Sequence, residues 1–321
     1  MISKILKAGR FFVEYSIDLW RFVRFNNYSP LVPKATRQFY KILIETHTIE
    51  KGLSLADRRH LFGKDKIRFV MRELEEYDAS LSPLPVEMAM GALSAYLEFH
   101  EKDRVSDPLL EEIRSFQAAY RARQPFVERG GVREMTLPRR GPAHELHLLL
   151  SRASLRMQDP APLQLEEITK LIEAAQSAPS QCNRQATKIH VYQDRAQIDT
   201  LLSLQGGSRG FSHCVGNLLV VTFDISAWGG AGQRNQGYVD GALFAMYVLL
   251  AAHGLDLAAC PLNLAVTNAR ENEIRSAGNI PANERLVVMV AVGRPLEEPL
   301  RVAASPRRRV SEVMFVHQKG G

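Results

Sequence analysis

Apolar residues recur at helical spacing through the first third of the chain. The period is clear at four positions, Ile67, Val70, Met71 and Leu74. Residues spaced three and four apart share one face of a helix, which favours packing of that face against a core. The period is interrupted at Ser82–Pro85 and at Asp107-Pro108, where serine and proline mark turns. This pattern predicts an all-helical module over residues 1–123.

Residues 124–142 lose the helical period and are rich in proline and glycine, with Gly130-Gly131 and Gly141-Pro142 among them. Such residues punctuate secondary structure, so the stretch is predicted to be a linker. The rest of the chain, residues 143–321, is then a second domain.

The second domain alternates between helical and strand patterns. Helical spacing at Leu165, Ile168, Leu171, Ile172 and Ala175 precedes three predicted strands at Lys188–Tyr192, Asn217–Asp224 and Arg285–Gly293. The last two are continuous apolar runs, which is typical of strands buried on both faces. Tyr238–His253 is apolar on nearly every side and predicts a central buried helix. Gly254 is expected to end that helix in a left-handed conformation.

The segment Ala259–Leu264 contains Pro261 and is predicted to be a turn that could aim backbone N–H groups at a ligand. Cys260 within it is a possible nucleophile, but no basic partner stands beside it, so a buried inert thiol is favoured. Three widely spaced cysteines argue against a disulfide framework or a zinc site and favour a reducing cytoplasm. No metal site is expected. The run Ala242–Ala252 is too short to span a bilayer.

The formal net charge of +6 is partly concentrated in Met1–Pro30, a basic stretch rich in aromatic residues. One interpretation is a helix lying on an anionic membrane face. The favoured alternative is a terminal helix docked on its own protein or on a dimer partner. No zinc finger, RNP-type strand or helix-turn-helix signature accompanies the charge, so a nucleic-acid partner is not expected.

Two arginine clusters flank the second domain and are candidates for holding a phosphate, Arg152 and Arg156 with Ser154, and Arg307 with Arg309. The arginine fork suits phosphate because it carries several donors and a permanent charge. Between them, Pro179 and Ser180 precede the amides Asn183 and Gln185, which suit the polar edge of a flavin ring. A flavin also needs a cation or donor near N1 and O2, a role open to Arg156 or Arg184. Solvated surface arginines and an ordinary turn are the alternative interpretations.

In this order the motifs resemble those of the nitroreductase family of FMN-dependent oxidoreductases. Arg152-x-Ser154-x-Arg156 is similar to its opening signature, and residues 178–185 to its A-P-S-x-x-N-x-Q loop. Asp240-Gly241-Ala242 through Gly254-Leu255 is similar to its central helix. Gly293-Arg294-Pro295 with Arg307–Val313 is similar to its closing segment. The resemblance covers about half of the chain.

The resemblance implies an α+β fold, with a central, mainly antiparallel sheet flanked by helices and preceded here by the helical module. It implies that Arg152, Ser154, Arg307 and Arg309 hold the FMN phosphate. The residues that it places near the ring are Arg156, Pro179, Ser180, Asn183, Gln185 and Pro261. A backbone N–H near Leu262 or Asn263 would face flavin N5.

The resemblance further implies a homodimer with the flavin at the subunit interface, with Val313–His317 as a segment that subunits exchange. NADH or NADPH would donate hydride to N5, and an unidentified small-molecule acceptor would take the electrons. The sequence identifies no catalytic side chain.

Longer proteins with a front segment like His47–Leu53 resemble nitroreductase-like proteins linked to bacterial cell-surface polysaccharide synthesis. His47, Glu50 and Lys51 are spaced to share one helical face and are candidates for contacting substrate; a structural salt-bridged turn is favoured. Two hypotheses follow. The first is a cytoplasmic, homodimeric FMN oxidoreductase. The second is a catalytically silent protein of the same fold, docking through Met1–Pro30 at a membrane or a polysaccharide assembly complex.

Overall fold

The computed structural model describes residues 2–55, 58–132, 142–296, 302–303 and 308–317. The chain begins with five helices and continues into a domain with five more helices and four strands within those residues. The helices are α1 (Ile2–Phe25), α2 (Lys34–Ser54), α3 (Lys64–Glu76), α4 (Leu84–Lys102), α5 (Pro108–Arg123), α6 (Pro142–Ser151), α7 (Leu165–Ala175), α8 (Arg195–Gln205), α9 (Gln236–Gly254) and α10 (Asn268–Ala277).

Helices α2 to α5 pack around one apolar core, as the helical period predicts. The Ile67, Val70 and Leu74 side chains of α3 are buried in it. Asp107 caps α5, because its carboxylate accepts a hydrogen bond from the Leu109 N–H at 3.0 Å, and Pro108 fills the first helical position. The predicted turn at Asp107-Pro108 is therefore the start of this helix.

The first part of the predicted linker lies against α4. The Arg129 N–H donates to the Glu87 carbonyl at 3.1 Å. Gly91 of α4 and Gly130 touch backbone to backbone, so closely that a Cβ atom on either would collide with the other segment. Glycine is required here by the close approach of two backbones. Residues 133–141 of the linker lie outside the described residues, and its extent stays a prediction.

The four strands form one antiparallel sheet in the order β1 (Thr187–Tyr192), β2 (Asn217–Asp224), β4 (Glu284–Gly293) and β3 (Ala258–Asn263). The predicted α+β class is confirmed. All eight residues of β2 are buried, because helices cover both faces of the sheet. The α8 and α10 side chains pack on one face, and those of α7 and α9 pack on the other.

The prediction of a turn at Ala259–Leu264 was wrong, because most of this segment is strand β3, at the edge of the sheet. Pro261 has no N–H to donate, and an edge strand tolerates that loss. The Cys260 and Leu262 side chains point into one core and Ala259 into the other. The strand was missed because proline is usually a signal against one.

Helix α9 also departs from its prediction. It is not buried all round, since Tyr238, Val239, Leu243 and Met246 are exposed on one face. Gly254 is the last helical residue, and the left-handed conformation falls on Asp256 instead, at φ 57°. The Leu257 N–H then donates to the Ala252 carbonyl at 2.8 Å, which closes the helix end without a glycine.

Helix α1 docks on the sheet domain through charged residues. Arg21 lies 3.3 Å from Glu271 of α10, and Arg285 of β4 lies 2.9 Å from the same carboxylate. Asp18 of α1 pairs with Arg285 at 2.7 Å, and the Glu14 carboxylate accepts from the Asn268 N–H at 2.9 Å. This arrangement is the terminal helix docked on its own protein that the sequence favoured.

A second buried carboxylate, Glu284, begins β4. It accepts hydrogen bonds from Thr222 and His190, the latter at 2.8 Å, and lies 3.3 Å from the Lys188 ammonium. Burial alone would raise the pKa of Glu284, but these partners outweigh it and hold the pKa below the usual 4.5. The ionised form is thus favoured in the folded state.

We expect Glu284→Gln to lower the free energy of unfolding at pH 7 by about 1–3 kcal/mol, the range for hydrogen bonds to charged groups. The pKa of Glu284 is lower in the folded state than its usual value of 4.5. This lowering stabilises the folded state above about pH 4.5, and the contribution is lost as the pH falls through the folded-state pKa. The difference in the free energy of unfolding between wild type and variant should therefore become smaller below about pH 4.5. Urea unfolding at several pH values measures this difference. The control is Glu173→Gln, which makes the same change at an exposed position of α7. A gap that stays constant with pH would contradict this account.

Candidate active site

The first arginine segment follows α6 and runs beside the edge strand β3. The Leu155 N–H donates to the Ala259 carbonyl at 3.0 Å, which fixes the segment to the strand. Gln158 is fully buried, and its amide donates to the Leu155 carbonyl at 3.0 Å and to the Ala291 carbonyl at 3.2 Å. Arg152 and Ser154 are half-buried, whereas Arg156 is exposed. The segment is therefore a rigid backbone that presents two guanidinium groups.

Among the residues that the structure describes, no carboxylate pairs with Arg152, Arg156 or Arg309. Other arginines do have such a partner. Arg294, for example, lies 2.7 Å from the Glu167 carboxylate. Arg152 and Arg156, with Ser154 between them in the chain, are a donor set that suits a phosphate.

Strand β3 lies next to the same segment, so Arg156 and residues 260–263 form one neighbourhood. Burial raises the pKa of the Cys260 thiol, and the nearby Arg156 charge lowers it only in part. The Cys260 side chain is buried. A buried thiol with a raised pKa is a poor nucleophile, which supports the inert-thiol interpretation. Pro261 is half-buried, Leu262 is buried and Asn263 is exposed.

The loop Ala178–Gln185 holds an unusual backbone. Cys182, Asn183 and Gln185 have φ values of 51°, 51° and 52°, although none of them is glycine. The left-handed region is costly for such residues and persists only where surrounding contacts hold it. Here the Ser180 hydroxyl accepts from the Gln185 N–H at 3.1 Å, and the Asn183 N–H donates to the Ser180 carbonyl at 3.0 Å.

Buried partners hold the loop from below. The Gln181 N–H donates to the buried Asp240 carboxylate of α9 at 3.0 Å. The Gln181 side-chain oxygen accepts from Arg184 at 2.8 Å and from the Trp228 indole at 3.1 Å. Arg184 is thereby turned into the protein and is buried, so Arg156 is the better placed of the two candidates for a cation at a ring edge.

A cavity of about 440 Å³ opens beside this loop. Pro179, Ser180 and Gln185 line it, as does Lys188 of β1. Its apolar wall comes from α9 and α7 through Phe244 and Ile172, and from the helical module through Phe39 of α2 and Leu84 at the start of α4. A pocket with apolar walls and a few polar groups at one end is typical of sites for planar organic ligands.

The helical module makes further contact with the loop. The Asn183 amide lies 3.6 Å from the Met88 sulfur of α4, and α2 packs along the 3-10 turn Gln181–Asn183. The module therefore supports the loop and closes one side of the cavity.

The arginine segment and the loop lie at opposite edges of the sheet. The loop leads into β1, which pairs only with β2, whereas the arginine segment runs beside β3 at the other edge. Three strand spacings separate these edges, roughly 14 Å. Within one chain the arginine segment, residues 152–156, therefore lies near residues 261–263. The candidates of the loop are held apart from that segment; they are Pro179, Ser180, Asn183 and Gln185.

The closing basic segment is described only in part. Arg307 lies outside the described residues. Arg309 is exposed, and its N–H donates to the Glu312 carboxylate at 2.9 Å at the start of a 3-10 turn, Val310–Glu312. Beyond it four apolar side chains are exposed, those of Val313, Met314, Phe315 and Val316. A run of exposed apolar residues is a feature expected of a segment that contacts another chain.

The candidate substrate residues of α2 are engaged in the module itself. The His47 ring nitrogen lies 3.1 Å from the Glu50 carboxylate, whose second oxygen accepts from the Gly131 N–H at 3.0 Å. Lys51 is exposed. These contacts tie α2 to the start of the linker and favour the structural interpretation of His47 and Glu50.

Sequence comparison assigns a family to the centre of this arrangement. Residues 149–207 match the model of the nitroreductase family. The predicted resemblance to this family is confirmed over the matched segment, which contains both Arg152-x-Ser154-x-Arg156 and the strained loop. The chain thus carries a nitroreductase-family segment. The curated proteins include no match to the chain.

Several solved structures are similar to about half of the chain. An FMN-dependent nitroreductase from Clostridium difficile R20291 is 20% identical, with 55% of this chain and 99% of that chain covered and a TM-score of 0.43. NfrA2 of B. megaterium is 21% identical, with 55% and 74% covered and a TM-score of 0.47. A protein described as a nitroreductase in complex with FMN, from Desulfovibrio desulfuricans, is 22% identical, with 56% and 98% covered and a TM-score of 0.46.

Several residues at the cavity were not among the sequence candidates. Asp240 and Lys188 had a signal, since an acid in an apolar helix and a lysine in a strand next to a motif are both unusual. Phe39 and Leu84 had none, because they belong to the helical period and reach the cavity only through tertiary packing. Of the helices described, none combines the length and apolar character needed to cross a membrane.

Proposed function

We propose that the protein is a homodimeric FMN-dependent oxidoreductase that takes hydride from NADH or NADPH and passes the electrons to a small-molecule acceptor. One observation carries the proposal. The two motifs of the family segment, an arginine cluster and a strained loop beside a cavity, lie at opposite edges of one sheet. A two-fold dimer that sets the arginine edge of one subunit against the loop edge of the other would complete a site from both.

Exposed apolar surface supports the dimer. The outer face of α9 carries Tyr238, Val239, Leu243 and Met246, and the neighbouring α6 exposes Leu146, Leu149 and Leu150. The tail, residues 313–316, adds further exposed apolar side chains, and exposed apolar groups gathered on one surface often mark a contact with another chain. A self-complementary contact through α9 would cover them, and exchange of the tail would extend it.

The residues present fit FMN. Arg152, Arg156 and Arg309 would neutralise the phosphate with Ser154 as a neutral donor, and Arg307 belongs to the same set by sequence. Asn183 and Gln185 would hydrogen-bond the polar ring edge, and the peptide N–H groups near Pro261, Leu262 and Asn263 would lie at the opposite side. FMN, when bound, supplies hydride acceptance and electron transfer. Phe39, Leu84 and Phe244 exclude water from the cavity where ring and substrate would lie.

The test of this function is the visible absorption of the purified protein after FMN is added, excess FMN is removed, and NADH or NADPH is titrated in. We expect retained flavin absorption that bleaches with the nicotinamide and returns when a quinone is added. Protein that retains no flavin, or flavin that no nicotinamide bleaches, would contradict the proposal. Comparing the two nicotinamides identifies the donor.

The acceptor and the cellular setting are extensions of the proposal. A role in cell-surface polysaccharide metabolism rests on the His47–Leu53 segment alone. Cytoplasmic residence rests on the three unpaired cysteines. His47, Glu50 and Lys51 would act there by positioning the module over the cavity.

A catalytically silent partner protein is the second candidate, and the exposed apolar face of α1 is the observation that favours it. It predicts no hydride uptake by the bound flavin, so the same titration separates the two candidates.

A further inference from the structure

Helix α1 is docked with its polar face inward. Glu14, Asp18 and Arg21 are spaced four and three residues apart and so share one helical face. That face contacts the protein, as Arg21 is only 4% exposed. A helix on the surface of a globular protein normally does the opposite and buries its apolar stripe.

The opposite face of α1 is apolar and exposed to solvent. Phe12 is 76% exposed, Leu19 65%, Trp20 57% and Val23 57%. Tyr28 and Leu31, just beyond the helix, are 73% and 69% exposed. Phe22 does not belong to this face, because it packs against the core beside Phe223 and Trp228. The name outward face is used below for Phe12, Val13, Leu19, Trp20 and Val23.

By sequence, α1 carries more positive than negative charge. Its ionisable side chains, tyrosine aside, are five cations and two acids, and the two acids, Glu14 and Asp18, both face the protein with Arg21. The remaining ones are Lys4, Lys7, Arg10 and Arg24. Arg24 lies over the Trp20 ring at 5.0 Å, next to the outward face. An apolar surface on a helix of net positive charge is complementary to an anionic lipid surface.

We propose that α1 holds the protein on anionic phospholipid bilayers, with the outward face at the level of the lipid headgroups. None of the described helices can cross a membrane, so the contact is peripheral. Trp20 and Tyr28 suit it, because aromatic rings with a polar group prefer the headgroup region. A second copy of the chain is the other occupant to consider. It is disfavoured because a two-fold contact through this helix would bring like charges together.

Trp20 offers a direct reporter. The chain has two tryptophans, and the other, Trp228, is 1% exposed and hydrogen-bonded inside the protein. A change in tryptophan emission on adding vesicles therefore reports on Trp20. The full-length protein is mixed with vesicles of phosphatidylcholine alone, or with about one third phosphatidylglycerol, and is tested by sedimentation and fluorescence.

We expect sedimentation with the phosphatidylglycerol vesicles and weak or no sedimentation with phosphatidylcholine alone. The Trp20 emission should shift to shorter wavelength, and lipids brominated on the acyl chain should quench it. Raising the salt concentration should weaken binding, because surface charge is screened. Trp20→Phe should still sediment but lose the spectral change.

The matched variants are Trp20→Ser with Val23→Ser on the outward face, and Leu55→Ser with Leu81→Ser elsewhere. The control pair has comparable exposure, 60% and 61%. The outward pair should lower vesicle affinity about ten-fold or more, because both substitutions remove apolar area that would contact lipid. The control pair should leave vesicle affinity unchanged. All four side chains are exposed, and an unchanged melting temperature verifies folding.

Three results would overturn the proposal. One is no sedimentation with anionic vesicles. Another is equal loss of affinity in both pairs of variants. The third would assign the outward face to an interface with a second copy of the chain. In that case Trp20 would emit at short wavelength and resist quenching by acrylamide without lipid, and the oligomer would dissociate in the outward-face variant.

Discussion

Replacing Glu271 by alanine should lower the free energy of unfolding by about 3–5 kcal/mol, the range seen when one partner of a buried ion pair is removed. Glu271 joins Arg21 of α1 to Arg285 of β4, and the side chains of Arg21 and Glu271 are only 5% and 7% exposed. Burial lowers the pKa of Arg21, and the attraction of Glu271 opposes that lowering. Without Glu271, the buried Arg21 loses this carboxylate while the repulsion of Arg285 remains, and Arg285 keeps its pair with Asp18.

Urea unfolding measures the loss, and Glu273→Ala is the control. Glu273 lies on the same helix but is exposed and pairs with Arg270, so its removal should change stability by well under 1 kcal/mol. We also expect earlier proteolysis of α1 in Glu271→Ala, since this network fastens the helix. Equal stability of the two variants would show that the buried network contributes little.

Replacing both Arg152 and Arg309 by alanine should weaken FMN retention by about 3–6 kcal/mol, because hydrogen bonds to charged groups contribute about 1.5–3 kcal/mol each. This corresponds to a loss of roughly two to four powers of ten in affinity. Fluorescence titration of the apoprotein with FMN measures it. The matched control is Arg114→Ala with Arg270→Ala, which removes the same charge from surface ion pairs. Unchanged affinity in the Arg152 and Arg309 variant would show that the phosphate site is elsewhere.

The same variant tests whether two subunits build each site. The arginine variant is mixed and reassembled with Asn183→Ala/Gln185→Ala protein. We expect FMN binding to return at roughly one quarter of all sites. Half of the dimers are then mixed, and each mixed dimer holds one intact site and one doubly altered site. No recovery, with mixed dimers verified by mass, would contradict a site that two subunits share.

The wrong predictions of secondary structure have local causes. Strand β2, by contrast, was predicted correctly, because a largely apolar run suits a strand buried on both faces, and all eight of its residues are buried. Strand β3 was missed because Pro261 normally argues against a strand, and only its place at the sheet edge removes that objection. Gly254 was expected to end α9, but the chain continues two residues further before Asp256 turns.

Much of the candidate site was also visible in the sequence, because phosphate and ring contacts need particular side chains at close spacing. Arg152, Ser154 and Arg156, and the loop Ala178–Gln185, are such local motifs. Their separation across the sheet was not visible, since strand order depends on which strands pair. Phe39 and Leu84 were missed for the same reason, because packing of distant helices brings them to the cavity.

By itself the sequence determined the helical module and the two motifs of the family segment, since these depend on periodicity and short-range chemistry, and the resemblance of those motifs implied the α+β class. The tertiary structure alone decided which face of α1 is exposed. Periodicity establishes that α1 has a polar and an apolar face, and it favours burial of the apolar one. Here Glu271 and Arg285, some 250 positions away, pair with Arg21 and Asp18, and these ion pairs reverse the expected orientation.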